Sequence, residues 1–446
     1  GLRLDTAELI RRGGDSGAAV TAGDPEHSLL VERVTDPDAS SRMPPEGEPL
    51  TSEEIANTKA WIFSGAIGIK GETAEADPHE HWAFRQPEKA KIPRVEGLPD
   101  NANPIDAFIL SRLQQEQLTP RPQADKPTLL RRAYLDLIGL PPTPDELHAF
   151  LADDSPNAWE TVVDRLLNDP RYGERWARHW MDVWRYSDWY GRRHVPDVWN
   201  SAPQIWRWRD WIVNSLNADK GYDRMVAEML AADEICPEDR EAGYATGYLV
   251  RNWYALNPND WMRANVEHTG KAFLGLTFNC AHCHDHKYDP ITHDEYFHLW
   301  AFFEPIGIRQ ERVPGEPDPG PYEEYEYGKL RKIERVGAVR IFDKSPDRPT
   351  WFYTAGDERN RLEDRGSIPP RVPDFLSEGA VDIESIELPP KAWYPGLQPE
   401  IQQTVLNEAR NALSEAESQL RDAQQKPPTT SPELEQRLAA AQAKYQ

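Results

Sequence analysis

Cys280-Ala281-His282-Cys283-His284 is the stretch on which the reading of this chain turns. C-x-x-C-H is the attachment pattern of a c-type haem. Two thiols three residues apart lie on one helical turn, where each can close a thioether to a haem vinyl group while the next residue turns its imidazole onto the iron. Cys280 and Cys283 are therefore the expected covalent tethers of a haem c, and His284 the expected proximal iron ligand. With three Cys and twelve His in the whole chain, random placement gives this pentapeptide on the order of once in two thousand such chains. The rival reading is a zinc site or a redox dithiol, since His282, His284 and His286 crowd the same turn and C-x-x-C is half of a zinc site. No second C-x-x-C or C…H pair supplies the other half, and Cys236 stands alone.

Working outward, residues 270–277 lead into the motif and Tyr296-Phe297-His298-Leu299-Trp300-Ala301-Phe302-Phe303 follows it. A porphyrin needs apolar and aromatic walls, and these segments can supply them; ordinary core packing would look the same. For the second axial position His268 is favoured, with Met262, His293 and His298 as alternatives and a buried core or helix-capping histidine as the bland reading of each. His282 and His286 flank His284 too closely to cross to the other haem face and read as surface or supporting groups.

A chain of 446 residues can bury more than one core. Its formal net charge of −24 argues against a nucleic-acid partner, which needs clustered Lys and Arg. No run approaches the roughly 20 apolar residues of a membrane span. Covalent haem attachment implies the outer face of a membrane, so the expected location is periplasmic or extracellular, with an export signal or anchor expected ahead of Gly1.

The expected fold class is mainly α: a small cytochrome c-like helical module, a larger helical haem-binding module, a short mixed α/β or β segment, and a C-terminal helical hairpin. Residues 1–70 read as the C-terminal part of the small module, ending in a helix opened by the capping box Thr51-Ser52-Glu53-Glu54. Residues 71–100 read as a Pro- and charge-rich linker. From 101 to 310 the caps are explicit: Asn103-Pro104 opens a helix, Gly139 with Pro141-Pro142 closes another, and Thr143-Pro144 opens the next. Residues 311–395 carry short apolar runs such as Val339-Arg340-Ile341-Phe342 and Thr350-Trp351-Phe352-Tyr353 that read as strands. In 396–446, Leu406, Leu413 and Leu420 alternate with Ala409, Ala416 and Ala423, predicting paired helices that pack on this chain or on a second copy.

Met43 stands in the Pro-bounded run Arg42-Met43-Pro44-Pro45-Glu46-Gly47. A Met on such a loop, ahead of a C-terminal helix, is where a small cytochrome c supplies its sixth iron ligand. Met43 is thus the expected ligand of a second haem whose attachment motif lies outside this sequence; as an ordinary residue it would fill a gap in a loop. Between Trp176 and Trp211, eight Trp interleave with Arg, Asp and His. Trp176, Trp180 and Trp184 recur every four residues, as on one helix face. His194, Asp188 and Tyr190, in a loop-like stretch, are the candidate substrate-site residues, able to hydrogen-bond a sugar or accept a proton.

The run from Phe273 through Cys280-Ala281-His282-Cys283-His284-Asp285-His286-Lys287-Tyr288-Asp289-Pro290-Ile291 resembles the planctomycete cytochrome c proteins. So do residues 172–180, residues 136–144 and Arg42-Met43-Pro44-Pro45-Glu46-Gly47. The resemblance implies a small N-terminal cytochrome module with Met43 as its distal ligand, a central haem-motif module, and secretion. This sequence departs from that pattern in lacking the first attachment motif and the C-terminal module.

Two functions follow as expectations. One is a secreted, multihaem c-type cytochrome that passes electrons to redox partner proteins or other haems, coupled as a haem-dependent oxidoreductase to oxidation of a carbohydrate. The other is a polysaccharide- or protein-binding scaffold with a structural haem. A zinc hydrolase is a distant third.

Overall fold

The computed structural model describes the chain apart from residues 1, 15–16, 39–40, 45–47, 75–79, 99–101, 189–202, 254–256, 321–335, 378–380, 425–431 and 446. It is mainly helical, with a single two-stranded antiparallel sheet among the described residues, as the sequence leads one to expect. The chain divides into two compact units. One comprises residues 1–176, 286–290 and 374–378; the other comprises 177–285, 291–373 and 379–446.

In the first unit the caps fall where their side chains can take orphan helix N–H groups. Thr51 accepts from the Glu54 N–H while Glu54 reaches back, opening the helix Ser52–Phe63. Ile62 of that helix is fully buried with Val20, Val31 and Ala66. Thr143 and Glu146 form the same reciprocal cap on Pro144–Ala152. Gly139, at φ +74, ends the preceding helix with the Arg175 side chain against it, so that a Cβ would stand 2.8 Å from Arg175 Cδ. Leu130, Tyr134, Ile138, Phe150 and Leu166 close a second core from three helices.

The second unit is built around aromatic residues. Trp184, Trp208, Tyr296, Phe297 and Trp300 are fully buried, and Trp184 stacks on Trp180 with centroids 5.1 Å apart. Strands β1 (Ile306–Glu311) and β2 (Ala338–Asp343) pair with Ile308 opposite Ile341. The run at 339–342 is thus a strand, and Thr350 and Tyr353 make isolated bridges to Ile368 and Arg361. Helices Pro399–Gln424 and Pro432–Tyr445 pack on each other, as a hairpin requires. Leu406 of the heptad is 47% exposed, and among the described residues the buried ones of that helix are Ile401 and Ala409. Arg240 pairs with Glu400 at 2.8 Å and Arg312 with Glu408 at 2.7 Å, so the first turns of the helix are oriented by the body of the unit and not by the heptad alone.

Candidate functional site

The C-x-x-C-H motif opens on one turn of 3-10 helix, Asn279–His282, after Phe278. Phe278 is fully buried and lies against Gly270, where a Cβ would come within 2.3 Å of its ring. Gly270 thus lets the preceding helix, Pro258–Thr269, run close to the motif. Cys280 and Cys283 are free thiols on exposed residues. Desolvation raises the Cys283 thiol above its ordinary pKa, and the positive charge of Arg263 works in the opposite direction.

His284 is exposed, and its Nδ1 lies 2.7 Å from the Asp285 carbonyl oxygen. A carbonyl can only accept, so Nδ1 carries a proton, and in the neutral ring the lone pair is on Nε2. That is the tautomer in which a histidine ligates metal while a backbone oxygen orients its ring. Two accessible thiols on one turn followed by a ring held in this tautomer fit the groups that a covalently attached haem would need.

His282 behaves otherwise. It is only 6% exposed, stacks on Trp300 with centroids 6.4 Å apart, and meets the Tyr296 ring edge-on at 5.3 Å. Burial, with Arg263 and His293 adding their charges, pulls its pKa down to about 3, so the ring is neutral. Its Nδ1 lies 3.6 Å from Cys283 Sγ. Of the two roles expected for His282, surface or supporting, burial excludes the first: it is a core residue beside Cys283. The His286 side chain is 7% exposed, and it accepts the N–H groups of Asp289 (2.8 Å) and Tyr288 (3.3 Å), closing its own turn.

The aromatic segments expected as haem walls pack on protein groups: Tyr296, Phe297 and Trp300 surround His282, and Phe273 lies 5.0 Å from Tyr248. Polar atoms around them are left over. Both ends of the fully buried Asn265 amide, the Tyr296 hydroxyl, and Nε2 of His282 and His293 have no hydrogen-bond partner. Among the described residues, no three His, Cys, Asp or Glu side chains gather so as to hold a bare metal ion.

His268 is half-buried, with its Nδ1 covered and unpartnered, and burial beside Arg185 and Lys271 holds its pKa at about 3. His298 takes the Pro369 carbonyl at 2.8 Å, and Met262 is buried. In the first unit Met43 is half-buried, its N–H bonded to the Arg33 carbonyl at 2.9 Å. Asp188 is exposed and accepts from the Tyr186 hydroxyl at 3.0 Å; Tyr190 and His194 lie outside the described residues.

Residues 1–47 match the family model of Planctomycete cytochrome C, and residues 104–307 match a Protein of unknown function (DUF1549). The first 47 residues are thus similar to planctomycete cytochrome c. The first match covers the loop of Met43 and the second covers the C-x-x-C-H turn; the match to a cytochrome c family implies haem c as the cofactor. No curated protein and no solved structure matches the chain. No helix among the described residues is long and apolar enough to cross a membrane.

Sequence reasoning missed Gly356. At φ +69 it sits directly against His282, where a Cβ would stand 2.3 Å from Nδ1. The segment around it reaches the motif's neighbours as well: Glu358 pairs with Arg263 at 3.4 Å, and Arg365 pairs with Asp294 at 2.8 Å and lies over the Phe352 ring. A glycine between Ala355 and Asp357 carries no signal of which side chain will lie against it.

Proposed function

We propose that this chain is a c-type cytochrome which anchors haem through Cys280 and Cys283, takes His284 as an iron ligand, and transfers electrons outside the cytoplasm. The observation that carries the reading is the turn itself: two free, exposed thiols three residues apart, followed by a histidine whose Nδ1 proton is fixed on the Asp285 carbonyl. When bound, haem supplies a one-electron iron couple, tuned by its axial ligands and by burial. The protein's part is to hold the attachment turn still. His282 does this by filling the aromatic core beneath the turn, and Gly356 by admitting His282.

Met43, on the loop matched to planctomycete cytochrome C, is proposed as the ligand of a second haem attached elsewhere. Coupling to carbohydrate oxidation, with redox proteins or other haems as electron acceptors, is the further proposal, and a glycan-binding scaffold with a structural haem is its alternative. The test is production of the chain in an exporting host that matures cytochromes c, followed by denaturing electrophoresis and a pyridine haemochrome spectrum. Haem that survives acid-acetone in the wild type, is lost in Cys280→Ala/Cys283→Ala, and changes its spin state in His284→Ala is the expected result. A wild-type chain with both thiols titratable and no haem absorbance would overturn it.

A further inference from the structure

The helix Arg171–Val183 ends in a tight reversal: the Arg185 N–H donates to the Asp182 carbonyl and the Tyr186 N–H to the Met181 carbonyl. This is the pattern of a Schellman cap, whose turning residue is left-handed and is ordinarily glycine. Here it is Arg185, at φ +61. A long cationic side chain thus occupies a position where backbone sterics favour no side chain at all, and such strain persists where the surroundings impose it. The surroundings are visible: Arg251 Nε donates to the Arg185 carbonyl at 3.1 Å, and Arg185 Nη2 donates to Asn252 Oδ1 at 2.7 Å.

The guanidinium held there has no ion-pair partner among the described residues, although the chain's formal charge is −24. Glu267 is the carboxylate whose charge reaches it, from beyond ion-pair distance. Burial and the neighbouring Arg251 pull the Arg185 pKa down to about 10. Beside it lie hydroxyls with nothing to bind. Tyr248 is 3% exposed, its ring wedged between Trp208 and Phe273, and its hydroxyl feels both the Arg185 charge and the Thr269 hydroxyl without completing a hydrogen bond. Thr269 Oγ1 and His268 Nδ1 are likewise covered and unpartnered.

We propose that Arg185, Arg251, Tyr248 and Thr269 form a binding site for the oxyanion group of a small ligand. Carboxylate, phosphate and sulfate share the needed chemistry: negative charge for the guanidinium and acceptor oxygens for the buried hydroxyls. Both arginines are half-buried, and Tyr248 and Thr269 are buried. None of these four residues is among the groups proposed to hold haem at Cys280.

The test is calorimetric titration of the full chain with acetate, inorganic phosphate and sulfate in low-salt buffer, with chloride at matched ionic strength as control. Saturable binding of at least one of the three above the chloride control is expected, and which of them binds identifies the oxyanion. Arg185→Gly, which suits the left-handed backbone, and Tyr248→Phe, which removes one hydroxyl, should each weaken that binding by about tenfold or more. The melting temperature of Arg185→Gly in anion-free buffer should be equal to or above that of the wild type. No binding beyond chloride, or binding that both folded variants retain in full, overturns the proposal.

Discussion

Gly356→Ala is the most informative single substitution near the attachment turn. The new Cβ would stand 2.3 Å from His282 Nδ1, 2.4 Å from Cε1 and 2.7 Å from the His282 carbonyl oxygen. His282 has nowhere to retreat, being packed on Tyr296, Phe297 and Trp300. Left-handed backbone costs a non-glycine residue about 1–2 kcal/mol. Overpacking a filled core adds about 1–3 kcal/mol. The sum is a destabilisation of about 2–5 kcal/mol for unfolding of the second unit. Gly275→Ala is the internal control: Gly275 is left-handed at φ +68 and ψ +18, but nothing lies within 4 Å of the added carbon. It should lose only the backbone part, about 1–2 kcal/mol. Urea midpoints at constant slope measure both. Thiol modification rates report the local effect, since a displaced His282 frees Cys283 and should speed its reaction. The reasoning is refuted if Gly356→Ala is no more destabilising than Gly275→Ala.

Three further outcomes follow from buried charge and capping. Asp233 is 8% exposed and is raised by burial, then by Glu234 and Asp343, to about 7 against an unfolded value near 3.8. Its folded state binds the extra proton, so its contribution is fully present below pH 3.8 and is lost as pH rises through about 7. Asp233→Asn should therefore stabilise by about 1–3 kcal/mol at pH 8 and much less at pH 5, read from urea unfolding at both; an equal gain at the two pH values would contradict the assignment. Glu228, 3% exposed, accepts from Lys220 Nζ (2.6 Å), Arg224 Nε (2.7 Å) and Trp211 Nε1 (3.1 Å), so Glu228→Ala should cost about 3–5 kcal/mol, with Glu228→Gln milder. Thr143→Ala removes a reciprocal cap and should cost about 1 kcal/mol of thermal stability, and an unchanged melting temperature would show that the cap is dispensable.

Local chemistry was legible without coordinates. Thr51, Thr143 and Asn103 cap the helices that they were expected to cap, because a cap is a contract between residues two or three apart. The strand at 339–342 was legible from its run of β-branched and aromatic residues. The heptad was only partly so: exposed Leu406 lies where the ion pairs of Glu400 and Glu408 orient the helix.

The candidate site divides in the same way. Cys280, Cys283 and His284 are recognisable because thioether attachment and ligation need a fixed local spacing, and that spacing was enough to point to a cofactor class. Nothing in the spacing distinguishes His282 from His284. Their opposite fates, one neutral in an aromatic core and one exposed with its Nδ1 on a carbonyl, depend on Trp300 and Gly356, which lie 18 and 74 positions along the chain from His282. The left-handed Arg185 beside the unpartnered Tyr248 and Thr269 is likewise a product of packing. By itself the sequence determined the helical class, the caps and the attachment pattern, because each rests on neighbours along the chain. Which histidine is buried, which thiol is shielded and which charge is left without a counter-ion were decided only by tertiary structure, since desolvation and Coulomb interaction depend on distance through space.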